Sequence, residues 1–358
     1  MSVQSVVAKP ALKLANVWAK LFGKDAIWAS MAASRISRKV DEAVTGPIEK
    51  LLTLTKRSRL PRVMRAREAG HATATDKYWS DHTIRGKAFL SRQQSLDYIS
   101  ELTDGRPFKR ELCKLHGPHS GKTILDYGCG PGNDLAGFVE SSSAKKIIGV
   151  DVSRKALELA RARVTWHNPK PGQLAFIQNS DSDIRLPLEG GSIDYIQSLG
   201  VIMCATDPPA ILREFSRLLR PGGEARIMLY NADSVHVQVS VGYEWRFQSD
   251  AMADLDPETA FEKTADLGAP VMKCVRPADV QQWLNDTPPP LEMEFLGGYF
   301  MPGERESWER SHQAALADLR VTGRQREFIS SITIENGFPY FNGKPAGLGA
   351  VYRLVKRA

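Results

Sequence analysis

Cysteine is scarce in this 358-residue chain, and its four copies, Cys113, Cys129, Cys204 and Cys274, are scattered with no Cys-x-x-Cys pair. That spacing excludes a zinc ribbon or a disulfide scaffold and predicts small buried thiols in a reducing, cytoplasmic compartment. No metal site is expected. Long hydrophobic runs are also missing: nothing approaches the roughly 18 apolar residues that span a bilayer, which excludes an integral helical membrane protein. No tract is biased enough to stay unfolded, because 42% of the residues are hydrophobic and 25% charged, as in an ordinary globular protein. No internal repeat is present. Acidic residues are absent before Asp25, but arginine is absent before Arg35 as well, which weakens the case for a targeting peptide.

What is present is unevenly placed. Residues 1–70 hold fourteen Lys or Arg and five Asp or Glu, a charge of +9, so the remainder of a chain of net charge +7 carries 7 − 9 = −2. Leu14, Val17, Trp18, Leu21 and Phe22 recur at helical spacing, with Lys13, Lys20 and Lys24 among them. A second segment opens near Pro47 and ends densely basic, so residues 1–75 are expected to form a basic helical extension. Three uses compete for it: a helix docked on the body, a helix lying on an anionic membrane surface through residues 1–70, or a targeting segment. Specific nucleic-acid binding is not expected, since no recognised motif accompanies the charge. The oligomeric state is left open.

Residues 76–120 are expected as a helical lead-in or cap, and from about residue 120 strand-like and helix-like segments alternate. "KTILDYG", "KIIGVDV", "LAFIQNS", "IDYIQSLGVI" and "EARIMLYN" are short apolar runs. "NDLAGFVESSS", "RKALELARARV" and "PPAILREFSRLLR" are amphipathic. This order predicts an α/β domain over residues 121–358, with a mostly parallel, doubly wound, Rossmann-like sheet whose strand ends form a ligand-binding edge.

At the first such end stands "LDYGCGPGND", with Gly128, Gly130 and Gly132 at alternate positions. Glycines there permit a tight turn and close approach of a ligand to backbone. Asp151, nineteen residues after Gly132, closes the next strand, where a carboxylate can accept from both hydroxyls of a ribose. A dinucleotide site would show Gly-x-Gly-x-x-Gly and accommodate diphosphate at the helix N-terminus. Here the spacing is Gly-x-Gly-x-Gly, and Asp134 in the first helical turn would repel a phosphate and satisfy free helix amides itself. A nucleoside with a cationic end, such as S-adenosyl-L-methionine, fits better than NAD, and Asp126 adds acidity beside the turn.

"LDYGCGPGND", "IIGVDVS", "LPLEGGSIDYIQSLGVI" and "ILREFSRLLRPGGEARIMLYN", in this order, resemble the successive motifs of class I S-adenosylmethionine-dependent methyltransferases, in the branch similar to quinone-biosynthesis enzymes. The resemblance covers about residues 110–232, with "LEMEFLGGYF" and "GAVYRLVK" as the two last strands. It implies a seven-stranded sheet whose last strand is antiparallel. It also implies that Gly128, Gly130 and Gly132 line the methionine and ribose part, that Asp126 binds the amino group and that Asp151 holds the ribose. Val152 would pack on adenine, Asp181 would face the adenine amino group with the Ser182 backbone nearby, and Leu199 would border the methyl end. Asp183 rivals Asp181, because this loop is one residue longer than the common pattern.

The acceptor side carries no motif. Transfer to an oxygen needs a base near the ends of the fourth and fifth strands. His236 is the first candidate, with Asp233, Glu244 and Asp207 behind it; Met203 and Cys204 stand where related sequences carry histidines. Residues 232–275, with Tyr243, Trp245 and Phe247, and residues 301–348, with the loop-like "GFPYFNGKPAGLG", are expected as inserted lids that shape an acceptor pocket. "KYWSDHTI" is expected to close over the cofactor, with Tyr78 or Trp79 as cap and His82 inside the cleft; His116, His119, His167 and His312 default to the surface. O-methylation of a small molecule (a sugar, a lipid-linked intermediate or a secondary metabolite) is favoured over N- or C-methylation. Two alternatives stand beside it: a non-catalytic module of this fold that docks on a membrane or partner, and a nicotinamide-dependent oxidoreductase.

Overall fold

The computed structural model describes residues 61–65, 73–84, 86–248, 250–267, 269–285 and 291–357. The first sixty residues, and with them most of the basic extension and its three readings, lie outside the described residues. In chain order the described elements begin with β1 (Val63–Arg65), α1 (Ala74–Asp81), α2 (Arg92–Asp104), α3 (Lys109–Leu112), β2 (Thr123–Tyr127), α4 (Asn133–Ser141), β3 (Lys146–Asp151), α5 (Arg154–Val164) and β4 (Leu174–Gln178). They continue with β5 (Ile193–Leu199), α6 (Pro208–Leu218), β6 (Leu219–Asn231), a π-helix (His236–Trp245), α7 (Pro257–Thr264), β7 (Cys274–Val275), α8 (Pro277–Asn285) and β8 (Leu291–Tyr299). The last are α9 (Glu304–Ala317), α10 (Gly323–Ser331), β9 (Thr333–Glu335), β10 (Phe338–Phe341), β11 (Lys344–Pro345) and β12 (Gly349–Lys356).

The main sheet runs β1-β4-β3-β2-β5-β6-β12-β8, with β7 paired to β6. All pairings are parallel except those of β12, which lies antiparallel between β6 and β8. Strands buried on both faces must be apolar throughout, and Ile124, Leu125, Ile147, Val150, Ile193 and Ile196 of β2, β3 and β5 are 0% exposed. The helices that cover them have stated starts. Ser153 Oγ accepts from the Ala156 amide at the head of α5, and Asp207 Oδ1 accepts from the Ala210 amide at the head of α6, which opens on Pro208. Ile211, Leu212, Phe215 and Leu218 then bury one face of α6.

The sheet has nine strands where seven were expected. β7 is a two-residue addition. β1 falls inside the segment expected to be helical. Pro61 just before it disfavours a helix running through, and Val63 gains burial by pairing with Phe176 at the sheet edge. The segment 301–348 also departs from a structureless lid: it folds as α9, α10 and the three-stranded sheet β11-β10-β9. Asn336-Gly337 and Asn342-Gly343, all at positive φ, make the two tight turns of that sheet. The segment 232–275 contributes the π-helix; Val235 just before it and Val239 within it pack toward Phe300 and Trp308, while Val237 and Val241 pack toward Ala260 and Phe261.

Candidate active site

The C-terminal ends of β2, β3, β4 and β5 open on one cavity. The turn after β2 folds back over β3, with the Gly128 and Cys129 amides both donating to Val150 O, at 2.8 and 2.9 Å. Gly128 has φ +77°, and a β-carbon there would stand 2.2 Å from Val201 Cγ2. Gly130, at φ +52°, has nothing within 4 Å of such a carbon and presents bare backbone to the cavity. Gly132 does not line the cavity: its β-carbon would meet Ala160 Cα at 2.9 Å, so its absence lets α5 approach the turn. A Gly128→Ala change combines a left-handed backbone with a clash and is expected to cost about 2–5 kcal/mol of stability, read as a lowered midpoint in a denaturant melt.

Asp151 is the anchor of this edge. Its Oδ2 accepts from the Gly130 amide and its Oδ1 from the Ser153 amide, each at 2.8 Å. A carboxylate offers about four acceptor directions, so each oxygen retains one for a further donor. Burial pushes the Asp151 carboxyl up to about 6, against the pull of those two amides. Asp126 lies beneath the turn, 4% exposed, with Oδ2 unpartnered. Burial first, then the charges of Asp134 and Asp151, raise it well above the usual carboxylate range. Of the other expected contacts, Val152, Asp181 and Leu199 line the cavity, whereas Asp126, Ser182 and Asp183 do not. The Asp181 carboxylate is engaged by the amide and hydroxyl of Thr206. Asn179 stands next to it, donating to Tyr127 Oη at 3.1 Å with its Oδ1 unpartnered and the residue on the cavity wall. Sequence reasoning passed over Asn179, although it directly follows β4 beside the end of β3.

Asp134 does not stand alone at the head of α4: its Oδ1 meets His116 Nε2 at 3.0 Å, both on the cavity wall. His116 occupies space that Gly137 leaves open, since a β-carbon on Gly137 would lie 2.4 Å from the imidazole. Three of the histidines expected at the surface are in fact buried, His116, His119 and His167. Their partners (Asp134, Tyr195, Ser95 and Glu140) are remote in sequence or unmarked by spacing.

Residues 73–84 pass along the cavity wall. Thr73 and Asp76 form a reciprocal cap at the start of α1, and the Asp76 carboxylate also accepts from Ser180 Oγ at 2.6 Å and the Asp181 amide at 2.8 Å. Tyr78 donates its hydroxyl to Asp266 O, and Tyr230 donates to Asp266 Oδ2 at 2.9 Å. Trp79 and His82 line the cavity, while Tyr78 serves as the tie. The His82 ring stacks on Tyr78 at 4.2 Å, and its Nδ1 lies 2.9 Å from Tyr78 O. A carbonyl oxygen only accepts, so Nδ1 carries a proton, and in the neutral ring the lone pair lies on Nε2.

His236, the expected base, is not on the cavity wall. It is packed edge-on against Trp245 and Phe261 at 5.5 and 5.8 Å, and burial lowers its imidazole to about 4. The other candidates are occupied elsewhere. Asp233 pairs with Arg276 and Arg324, Glu244 with Arg310, and Asp207 caps α6. The two insertions reach the cavity wall through Asp266 and Met301, and Tyr243, Trp245 and Phe247 do not line it.

A family described as "methyltransferase domain" matches residues 118–286. Residues 118–286 are a class I S-adenosylmethionine-dependent methyltransferase domain. An uncharacterised 37.1 kDa transposon protein of Streptomyces fradiae is 35% identical over 130 residues, 36% of this chain and 36% of its own. An arsenite methyltransferase of Aquipseudomonas alcaligenes is 37% identical over 110 residues, 29% of this chain and 31% of its own. A ubiquinone biosynthesis O-methyltransferase of Sodalis glossinidius is 25% identical over 208 residues, 58% of this chain and 70% of its own. The chain therefore spans about a third of the length of the first two relatives.

The cavity of the methyltransferase domain suits that donor on its own terms. Among the described lining residues, Asp134, Asp151, Asp181 and Asp266 face a single Lys or Arg, Lys109. A diphosphate would meet this acidic wall at the helix N-terminus, whereas a sulfonium and an ammonium offset it. Ribose hydroxyls can bind Asp151 as acceptor only while it is ionised. Affinity for S-adenosylhomocysteine is therefore expected to be flat above pH 7 and to fall about tenfold per pH unit below 6, in titrations across that range. A fall on the alkaline side instead would exclude Asp151 as the linked group.

No helix among the described residues is long and apolar enough to cross a membrane, and the four cysteines are free.

Proposed function

We propose that the protein transfers the methyl group of S-adenosylmethionine to an oxygen of a small, largely apolar acceptor, with His82 as the base. His82 carries this reading: it is on the wall of the same cavity as Asp151 and Gly130, and Tyr78 O accepts from its Nδ1, which makes Nε2 the basic nitrogen of the neutral ring. When bound, the donor supplies a methyl already activated on sulfur. The chain's own part is to hold both reactants in line, exclude water and receive the acceptor's proton.

Asp151 would hold the ribose, with Gly130 giving backbone access, Val152 against adenine, Leu199 near the methyl end, and Asn179 or Asp181 facing the adenine amino group. Asp126, beneath the turn, would act on the donor's amino group through water. Ile84, Ile99, Leu102, Tyr230, Tyr299 and Met301 make the rest of the wall apolar and aromatic. That surface suits a lipid-linked or secondary-metabolite acceptor better than a bare sugar. Lys109, 6% exposed and 5.9 Å from the Tyr299 ring, adds one positive charge, which favours the ionised form of an acceptor hydroxyl. The reduced cysteines support a cytoplasmic setting.

The test is a panel of phenolic, enolic and aliphatic alcohols with methyl-labelled donor, with products resolved by mass. A methyl ether from an apolar acceptor supports the reading, whereas labelled product only on carbon overturns it.

A further inference from the structure

A second cleft lies away from the methyl-transfer cavity, between the end of the π-helix, the loop leading into α7 and the start of α10. At its wall stands Arg246, 6% exposed, whose Nη atoms donate to two neutral oxygens, Leu255 O at 2.9 Å and Gln325 Oε1 at 3.2 Å. Its Nε has no hydrogen-bond partner, and among the described residues no carboxylate forms an ion pair with it. Asp256 and Asp318 act on this guanidinium only through charge, without touching it, so its burial is costly and only partly offset.

The surroundings add positive character. Arg246 and Arg320 lie over the Phe247 ring at 4.3 and 4.0 Å, and Arg276 and Arg324 share the wall. Gln325, which binds Arg246, sits in the first turn of α10, a helix of nine residues. Its N-cap Thr322 is extended and makes no side-chain capping bond, so the first amides of α10 lack that acceptor at the cleft. The nearby acids are committed or at the rim. Glu258 pairs with Arg276, Asp318 pairs with Arg320 at 2.6 Å, Asp256 accepts from the Thr259 amide and hydroxyl at 2.9 and 2.7 Å, and Asp254 is exposed. Gln238, 1% exposed, has its Nε2 held by Ala232 O and Glu258, so its unpartnered Oε1 is a fixed acceptor beside the arginine.

We propose that this cleft is a phosphate site, built by Arg246, the head of α10 and Gln238. Donors dominate it and one acceptor remains, which matches an oxyanion that keeps a proton near neutral pH, as phosphate does and a carboxylate does not. The site is separate from the methyl-transfer cavity and stands or falls independently of the reaction proposed there.

Calorimetric titration of the full chain in phosphate-free buffer tests it, with inorganic phosphate, glycerol 3-phosphate and acetate as probes. One saturable phosphate site is expected, with acetate at least tenfold weaker. Tighter binding of the monoester than of inorganic phosphate would identify a phosphorylated small molecule as the source, and the reverse order the free ion. Thr322→Asp places a carboxylate over the head of α10 and is expected to weaken phosphate at least tenfold while the melting temperature and S-adenosylhomocysteine binding hold. Arg246→Gln should do the same if it folds. No saturable binding of either phosphate compound, or undiminished binding by Thr322→Asp, overturns the proposal.

Discussion

His82→Ala is expected to lower kcat about 10²–10⁴-fold on an oxygen acceptor, the range that a positioned general base supplies. Donor affinity should change little, because the imidazole is spent on Tyr78 and not on the glycine turn. The two effects therefore separate: kcat collapses while the dissociation constant of S-adenosylhomocysteine stays within a few-fold. Tyr78→Phe removes the tie to Asp266 O but leaves its backbone carbonyl to hold Nδ1. It should raise the donor KM more than it lowers kcat. Full activity in His82→Ala, or a fall confined to KM, would remove the base assignment while leaving the donor site intact.

Asp151→Ala is expected to weaken S-adenosylhomocysteine about 10²–10⁴-fold, from the loss of two hydrogen bonds to a charged acceptor at about 1.5–3 kcal/mol each. Part of that loss would come from the turn itself, since the Gly130 and Ser153 amides both rest on this carboxylate. Asp151→Asn separates the contributions. An amide oxygen can still receive one backbone donor, but its NH₂ group opposes a hydroxyl donor from the ribose. Asn should therefore preserve the fold and still lose most of the affinity. Binding by Asp151→Asn at wild-type strength would show that the carboxylate serves the turn alone.

The parallel core was legible because its strands carry their own signal. β2, β3 and β5 are buried on both faces, so they appear as continuous apolar runs that stop at glycine or aspartate. Helices α5 and α6 announced themselves by period, and the structure adds the Ser153 and Asp207 caps at their starts. The β9-β10-β11 sheet was equally marked, by Asn336-Gly337 and Asn342-Gly343, but the aromatic and glycine-rich text around them suggested a loop. β1 had no such mark, because its single buried side chain, Val63, sits in basic text. The π-helix was hidden differently: "VHVQVSV" alternates like a strand, and only packing on two sides makes it helical.

At the site, positions tied to backbone geometry can be placed from the sequence, and those set by distant contacts cannot. Gly128, Gly130 and Asp151 follow from one turn and the strand beside it. Gly132 belongs to the same motif, yet its role is set by Ala160. Choosing between His82 and His236 required tertiary knowledge. Both have aromatic neighbours, but one ring is held by a carbonyl at the cavity wall and the other is wedged against Trp245 and Phe261. Asn179 could have been noticed, since it directly follows β4 at the same edge.

The most direct measurement is a calorimetric titration of the full chain with S-adenosylhomocysteine and, in parallel, with NAD at pH 7.5. Saturable one-to-one binding of the first, lost in Asp151→Asn, and no heat from the second is the result expected of an acidic nucleoside cradle. Binding of NAD in preference, or no binding of S-adenosylhomocysteine to folded protein, would contradict it.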